Sequence, residues 1–327
     1  MPNRSVSGRG YLTATLLAFA VVLLLAAFVT TVAHPSFSGH PPTAAPSELV
    51  TAVAHPSISD HPATVAPSGP VTGVHTITIG DIGRTYRSFV PTQLTDPVPL
   101  LVLLHGRGQS EPSVMNQTGF LRLVEQRRAV LVLPDGEQRS WNAGHGCCGI
   151  AGSRRVPDVP FLTAIVSDAT HRWPVDVRRV YLVGYSNGGK LAYSEMCAHP
   201  ELFAAVATYG AVPLSPCNPG TPPVPFLLAA GSADPVMPFQ GKPGGHPPQP
   251  AVPQALAWLR AQDRCPATEQ TERDGSAVLQ RWADCAGGTE VESVVYPGWG
   301  HSWPAAQASS LADLMWAFLT RHGAARS

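Results

Sequence analysis

The chain has 327 residues, with 22 Lys plus Arg against 22 Asp plus Glu, so its formal net charge is zero. That balance excludes a basic nucleic-acid binder, and no nucleic-acid partner is expected. A hydrophobic share of 44% excludes disorder throughout, while the 34 prolines cluster and divide the chain into parts.

The first part is residues 1–33. Arg4 and Arg9 precede an uncharged run from Tyr11 to Ala33 whose centre is almost wholly apolar. A basic flank before an apolar run reads as a secretory signal peptide or as a membrane anchor. Thr31-Val32-Ala33 offers a small-residue cleavage site. The run also has the roughly 20 apolar residues that span a bilayer. Either way the protein is expected outside the cell or in its envelope, touching membrane only through this segment. The second part, residues 34–72, holds eight prolines and only two charges, Glu48 and Asp60. Val32-Ala33-His34-Pro35-Ser36 recurs 21 residues later as Val53-Ala54-His55-Pro56-Ser57. This is a duplicated Pro/Ser/Thr/Ala linker, extended and partly polyproline II.

Residues 73–327 are long enough for one domain with a full core. All six cysteines fall here: Cys147, Cys148, Cys197, Cys217, Cys265 and Cys285. An even count behind an export segment reads as disulfides, and no CxxC or spaced His/Cys set suggests zinc. Cys265–Cys285 is the preferred pair, because the two bracket a single polar excursion. Cys147 and Cys148 are adjacent and are expected to bond to different partners, Cys197 and Cys217.

In chain order, Val74–Gly80 and Tyr86–Val90 read as an opening hairpin. Pro99–Leu104 is a continuous apolar run, as expected of a strand buried on both faces. Residues 112–128 read as helix, and Ala129–Leu133 as a strand stopped by Pro134-Asp135-Gly136. Asp158–Arg172 has apolar residues at helical spacing. Arg179–Val183 is a strand and Gly188–Ala198 a helix. Phe203–Thr208, Pro225–Ala230 and Val291–Tyr296 are further strands, with helices near 251–262 and 308–322. Strands alternating with helices imply an α/β fold, a mostly parallel sheet with helices on both faces.

Gly184-Tyr185-Ser186-Asn187-Gly188 matches G-x-S-x-G. Val180-Tyr181-Leu182-Val183 runs straight into it and a helical stretch follows, the strand–turn–helix context of a nucleophile elbow. A serine hydroxyl needs a base, and the chain order for such a fold is Ser, acid, His. Four histidines follow Ser186: His199, His246, His301 and His322. Only His301 sits in a flexible turn between a strand and a helix, so it is the candidate base. Asp234 lies just past the Pro225–Ala230 strand, where a carboxylate can orient the imidazole. Asp263, Asp274 and Asp284 fall in polar excursions and read as solvated. Oxyanion donors are expected at the backbone N–H of Asn187 and of Arg107, with Gly106 second to Arg107. His105 reads as structural.

Taken together these segments resemble the secreted esterase and polyhydroxybutyrate depolymerase family of α/β-hydrolases, which includes feruloyl and acetylxylan esterases. The resemblance rests on Leu104-His105-Gly106, Ser140-Trp141-Asn142-Ala143-Gly144 with Cys147-Cys148-Gly149, Arg179-Val180-Tyr181, the Gly184–Gly189 elbow, Phe203–Ala207, Gly231-Ser232-Ala233-Asp234-Pro235 with Pro238-Phe239, and Gly300-His301-Ser302-Trp303-Pro304. It covers roughly residues 75–320 and implies an α/β-hydrolase fold. It also implies Ser186 as nucleophile, Asp234 as acid and His301 as base, with Trp141 and Trp303 lining a substrate cleft. One stretch departs from the family pattern. Where paired aspartates and a glycine are usual, this chain reads Val156-Pro157-Asp158-Val159-Pro160-Phe161, which bears on fine specificity.

The expected activity is carboxylic ester hydrolysis by a serine esterase through an acyl-enzyme, with no cofactor and no metal, by a monomer. The expected partner is a polyester or an acylated polysaccharide fragment. Acyl transfer to cell-envelope sugars is the alternative, and a non-catalytic binding protein is a third reading.

Overall fold

The computed structural model describes residues 69–304 and 310–323. The N-terminal apolar run and most of the linker lie outside the described residues. Among the described residues, no helix is long and apolar enough to cross a membrane.

Ten strands form one sheet. They are β1 (Val71–Ile79), β2 (Ile82–Val90), β3 (Val98–Leu104), β4 (Val130–Pro134), β5 (Val175–Tyr185), β6 (Ala205–Tyr209), β7 (Phe226–Gly231), β8 (Gln270–Asp274), β9 (Ala277–Trp282) and β10 (Val291–Tyr296). Their spatial order is β1-β2-β4-β3-β5-β6-β7-β10-β9-β8. Six strands from β4 to β10 run parallel, and an antiparallel hairpin closes each edge. The helices are α1 (Glu111–Thr118), α2 (Leu121–Glu125), α3 (Gly149–Arg154), α4 (Asp158–Arg172), α5 (Asn187–Ala198), α6 (Val252–Gln262) and α7 (Leu311–Thr320).

The parallel strands read as continuous apolar runs because helices cover both of their faces. Along β3, Leu100, Val102 and Leu104 enter one core while Leu101 and Leu103 enter the other. The first core is packed from outside by α4, α5 and α6 through Phe161, Leu191 and Leu256. The second is packed by α1, α2 and α7 through Val114, Leu123 and Phe318. Alternation along each strand therefore builds two cores from one sheet.

Three expectations need correction. The helix read over 112–128 is two helices, because Gly119 adopts φ +75° and caps α1 in the left-handed conformation that glycine adopts without strain. The polar excursion between Cys265 and Cys285 folds into the β8–β9 hairpin. Its outer strand is nearly all polar and exposed, so no apolar alternation marks it. Asp263 is not solvated: it is 2% exposed and accepts the Val224 N–H at 3.3 Å. Burial pushes its carboxyl up to about 7.

Disulfides join Cys197 to Cys217 and Cys265 to Cys285, each across 20 residues of chain. Loop closure of that length stabilises by about 3 kcal/mol per bridge. The remaining pair corrects the sequence reading. Cys147 and Cys148 bond to each other, their Cα atoms 3.0 Å apart across a cis peptide.

Candidate active site

The elbow sits where β5 meets α5. Ser186 has φ 53° and ψ −115°, a conformation that costs a non-glycine residue about 1–3 kcal/mol. The cost is met by tight packing around it. The Ser186 N–H donates to Tyr209 O at 2.9 Å. A Cβ on Gly184 would lie 2.6 Å from Gly189 Cα, and one on Gly188 would lie 2.6 Å from His105 O. Both motif glycines are therefore required for strand and helix to close on the turn.

The structure brings Ser186, His301 and Asp234 together at the C-terminal ends of the parallel strands. His301 Nε2 lies 2.8 Å from Ser186 Oγ, and Nδ1 lies 2.6 Å from Asp234 Oδ2. Asp234 is 4% exposed, and its other oxygen accepts the N–H groups of Val236 and Met237, each at 2.8 Å. Two tyrosines fix the histidine loop by its backbone. Tyr185 donates its hydroxyl to His301 O at 2.6 Å, and Tyr209 Oη lies within 3.0 Å of both Gly300 O and Ser302 O. Such an arrangement can activate a hydroxyl by general-base catalysis and return the proton to a leaving group.

Arg107 and Asn187 line a cavity of about 240 Å³ together with Ser186. Among the described residues neither backbone N–H has a protein acceptor. The Gly106 N–H is already taken by Gln109 Oε1 at 2.9 Å, which leaves Arg107 as the donor on that loop. His105 is 0% exposed. Its Nε2 accepts the Gly136 N–H, so the ring proton sits on Nδ1 and donates to Gly106 O.

The two tryptophans belong elsewhere than on a cleft wall. Trp141 is 0% exposed, stacks at a tilt on His105, and donates its indole N–H to His105 O at 2.8 Å. Trp303, 9% exposed, packs edge-on against Phe120, Tyr185 and Tyr209. Both are wedged into the core behind the site, Trp303 beneath the His301 loop, and neither offers a face to substrate. What faces the cavity instead includes Lys190, Met237, His246 and the Cys147–Cys148 pair. Lys190 was legible in principle, since it lies one helical turn after Ser186. The others are brought in by loops distant in sequence.

The Asn187 side chain also has a role that no motif announces. Its Oδ1 accepts the Trp141 N–H at 2.8 Å and its Nδ2 donates to Trp141 O at 3.0 Å. This two-point clasp ties the elbow to the loop behind the cavity. Asn187→Ala leaves the buried Trp141 N–H unpaired, while Trp141 O keeps the Cys148 N–H at 2.9 Å, at a cost of roughly 1–3 kcal/mol. A calorimetric Tm should fall by roughly 2–12 °C; a melt within about a degree of wild type would refute the clasp.

The prolines that depart from the family pattern flank the start of α4. Pro157 is its N-cap residue and Pro160 lies in its first turn, where backbone N–H groups have no helical partner. Asp158 between them is 1% exposed. It pairs with Arg84 at 2.8 Å and accepts the Asn142 N–H at 2.7 Å, so the helix start is tied to the Trp141–Asn142 loop.

A family model described as "Esterase PHB depolymerase" matches residues 85–237. The chain is 29% identical to NocK of Nocardia uniformis subsp. tsuyamanensis over 63% of this chain and 65% of that one, just under two thirds of its length. It is 27% identical to feruloyl esterase C of Emericella nidulans over 72% of this chain and 83% of that one. The structure superposes on acetyl xylan esterase from Aspergillus awamori with a TM-score of 0.56, at 17% identity, covering 76% of this chain and 99% of that one. The last shows a shared fold. With its ten-stranded, mostly parallel sheet, elbow serine and ordered sequence matches, the chain has an α/β-hydrolase fold and is similar, over residues 85–237, to the esterase and polyhydroxybutyrate depolymerase family.

Proposed function

We propose that this protein is an exported serine carboxylic ester hydrolase acting through an acyl-enzyme. The single observation that carries the reading is the chain of contacts from Ser186 through His301 to Asp234 beside an open cavity. His301 Nε2 takes the proton as Ser186 Oγ attacks the ester carbonyl. Asp234 holds the imidazole by Nδ1 and stabilises its cation. The N–H groups of Asn187 and Arg107 receive the oxyanion of the tetrahedral intermediate. Collapse expels the alcohol, protonated by His301, and leaves Ser186 acylated. Water, deprotonated by His301, then releases the acid.

The family-model match over residues 85–237 and the likeness to a feruloyl esterase support esters of hydroxycinnamic or short hydroxyacyl groups as substrates. Three disulfides and the basic-then-apolar N-terminal segment support export to an oxidising compartment. The test is a substrate panel (methyl ferulate, acetylated xylan and oligomeric hydroxybutyrate) with mass spectrometry of enzyme quenched during turnover. An acyl adduct on Ser186 and free acid as product are expected. Hydrolysis without any adduct would overturn the covalent route. Acylated sugar in place of free acid, with sugar acceptors present, would move the reaction to acyl transfer.

A further inference from the structure

Lys190 is the least explained polar side chain near the site. It is 6% exposed, yet among the described residues its ammonium has a single hydrogen-bond contact, Cys147 Sγ at 4.0 Å. Among the described residues no carboxylate pairs with it. A buried ammonium without a counter-ion is expensive, and proteins normally pair it. Its neighbour in the cavity, Arg107, is exposed and likewise has no carboxylate partner. Two cations thus line the cavity that holds the nucleophile, with nothing negative between them.

The cavity wall also tells which half of an ester lies there. It includes Ser186 and the oxyanion donors Asn187 and Arg107 but not His301. The leaving alcohol must reach His301 to collect its proton, so it lies on the other side of Ser186. What fills this cavity is the acyl group. Side chains on a helix lean toward its N-terminus, so Lys190, on the first turns of α5, leans back toward Ser186.

Resting on the reading of the site as an ester hydrolase, we propose that Lys190 and Arg107 form an anion-binding end to the acyl pocket, which selects esters whose acyl group carries its own carboxylate: monoesters of short dicarboxylic acids. The missing counter-ion of Lys190 is then supplied by substrate. Burial first, and the Arg107 guanidinium second, hold the Lys190 amine down at about 8. It is still mostly protonated at neutral pH, and an incoming carboxylate favours that charge further. A charge-assisted hydrogen bond in such a place shifts binding by about tenfold or more.

The experiment compares kcat/KM for monoethyl glutarate and ethyl butyrate, by ethanol release at fixed ionic strength. Alkyl esters are used because aryl monoesters of such acids cyclise on their own. Wild-type protein should prefer monoethyl glutarate by at least about tenfold, and Lys190→Met should lower that preference ratio by at least about tenfold while Lys190→Arg retains most of it. Free glutarate should also inhibit wild-type turnover of ethyl butyrate at least about tenfold better than butyrate does, a measurement that needs no variant to fold. Hydrolysis of ethyl butyrate with no preference for the glutarate ester overturns the anion site and leaves the hydrolase reading standing. A preference shown only by an ester with the carboxylate on its alcohol, such as 3-acetoxypropanoate, overturns the acyl-side assignment. Failure to hydrolyse any of these esters while methyl ferulate, acetylated xylan or oligomeric hydroxybutyrate is hydrolysed overturns the anion site alone, and failure on those substrates as well overturns both readings.

Discussion

Ser186→Ala is expected to lower kcat on a short ester by about 10⁴- to 10⁶-fold, with the fold intact. Without Oγ there is no atom to form the acyl bond, and His301 has no hydroxyl 2.8 Å away to deprotonate. The backbone at this position already sits at φ 53°, and alanine is no worse there than serine, so the melting profile should be preserved. What activity remains comes from the oxyanion donors acting on bound substrate. Because the three side chains act as one unit, Ser186→Ala/His301→Ala should be no slower than Ser186→Ala alone. Steady-state kinetics on both variants decides this. A single variant that keeps more than about one hundredth of wild-type kcat would remove Ser186 from the mechanism.

The largest effect on stability is expected at Asp158. Arg84 and Asp158 are 4% and 0% exposed in their side chains, and the guanidinium also lies 4.3 Å over the Phe161 ring. Burial pushes the Asp158 carboxyl up, opposed by the Asn142 N–H and by Arg84. Asp158→Ala strands a buried guanidinium and frees the Asn142 N–H, at a cost of about 3–5 kcal/mol. A Tm loss of roughly 6–20 °C should be seen by calorimetry. Arg84→Met/Asp158→Leu should recover much of it, since removing both charges leaves no buried charge uncompensated and only the Asn142 N–H without its acceptor. If Asp158→Ala melts like wild type, the pair does not hold the helix start to the Trp141 loop. Activity should fall with stability here, because the same loop is clasped by Asn187.

Much of this site was legible from residue order. Gly184–Gly188 demanded an elbow because small residues alone permit its closeness. His301 and Asp234 were separable from their rivals by their places after strands. The tryptophans were misread for a physical reason: an aromatic next to a functional motif packs the back of a site as readily as it lines the front. Which one holds depends on which way the loop faces. The vicinal Cys147–Cys148 bond went unforeseen for a similar reason. Adjacent cysteines ordinarily point apart, and only the local backbone brings the sulfurs together.

Sequence alone determined the alternation of the parallel strands with their helices and the three residues proposed as nucleophile, base and acid. These follow from local rules: apolar runs, turn residues and one strained motif within five positions. Tertiary structure alone decided what the cavity is made of. Arg107, Cys147, Lys190 and Met237 come from four separate segments and meet only because β3, β5 and β7 lie near one another in a single sheet. Burial likewise belongs to the fold. The neutral overall charge concealed Lys190, and only the packing around it reveals a buried ammonium that has no carboxylate partner among the described residues.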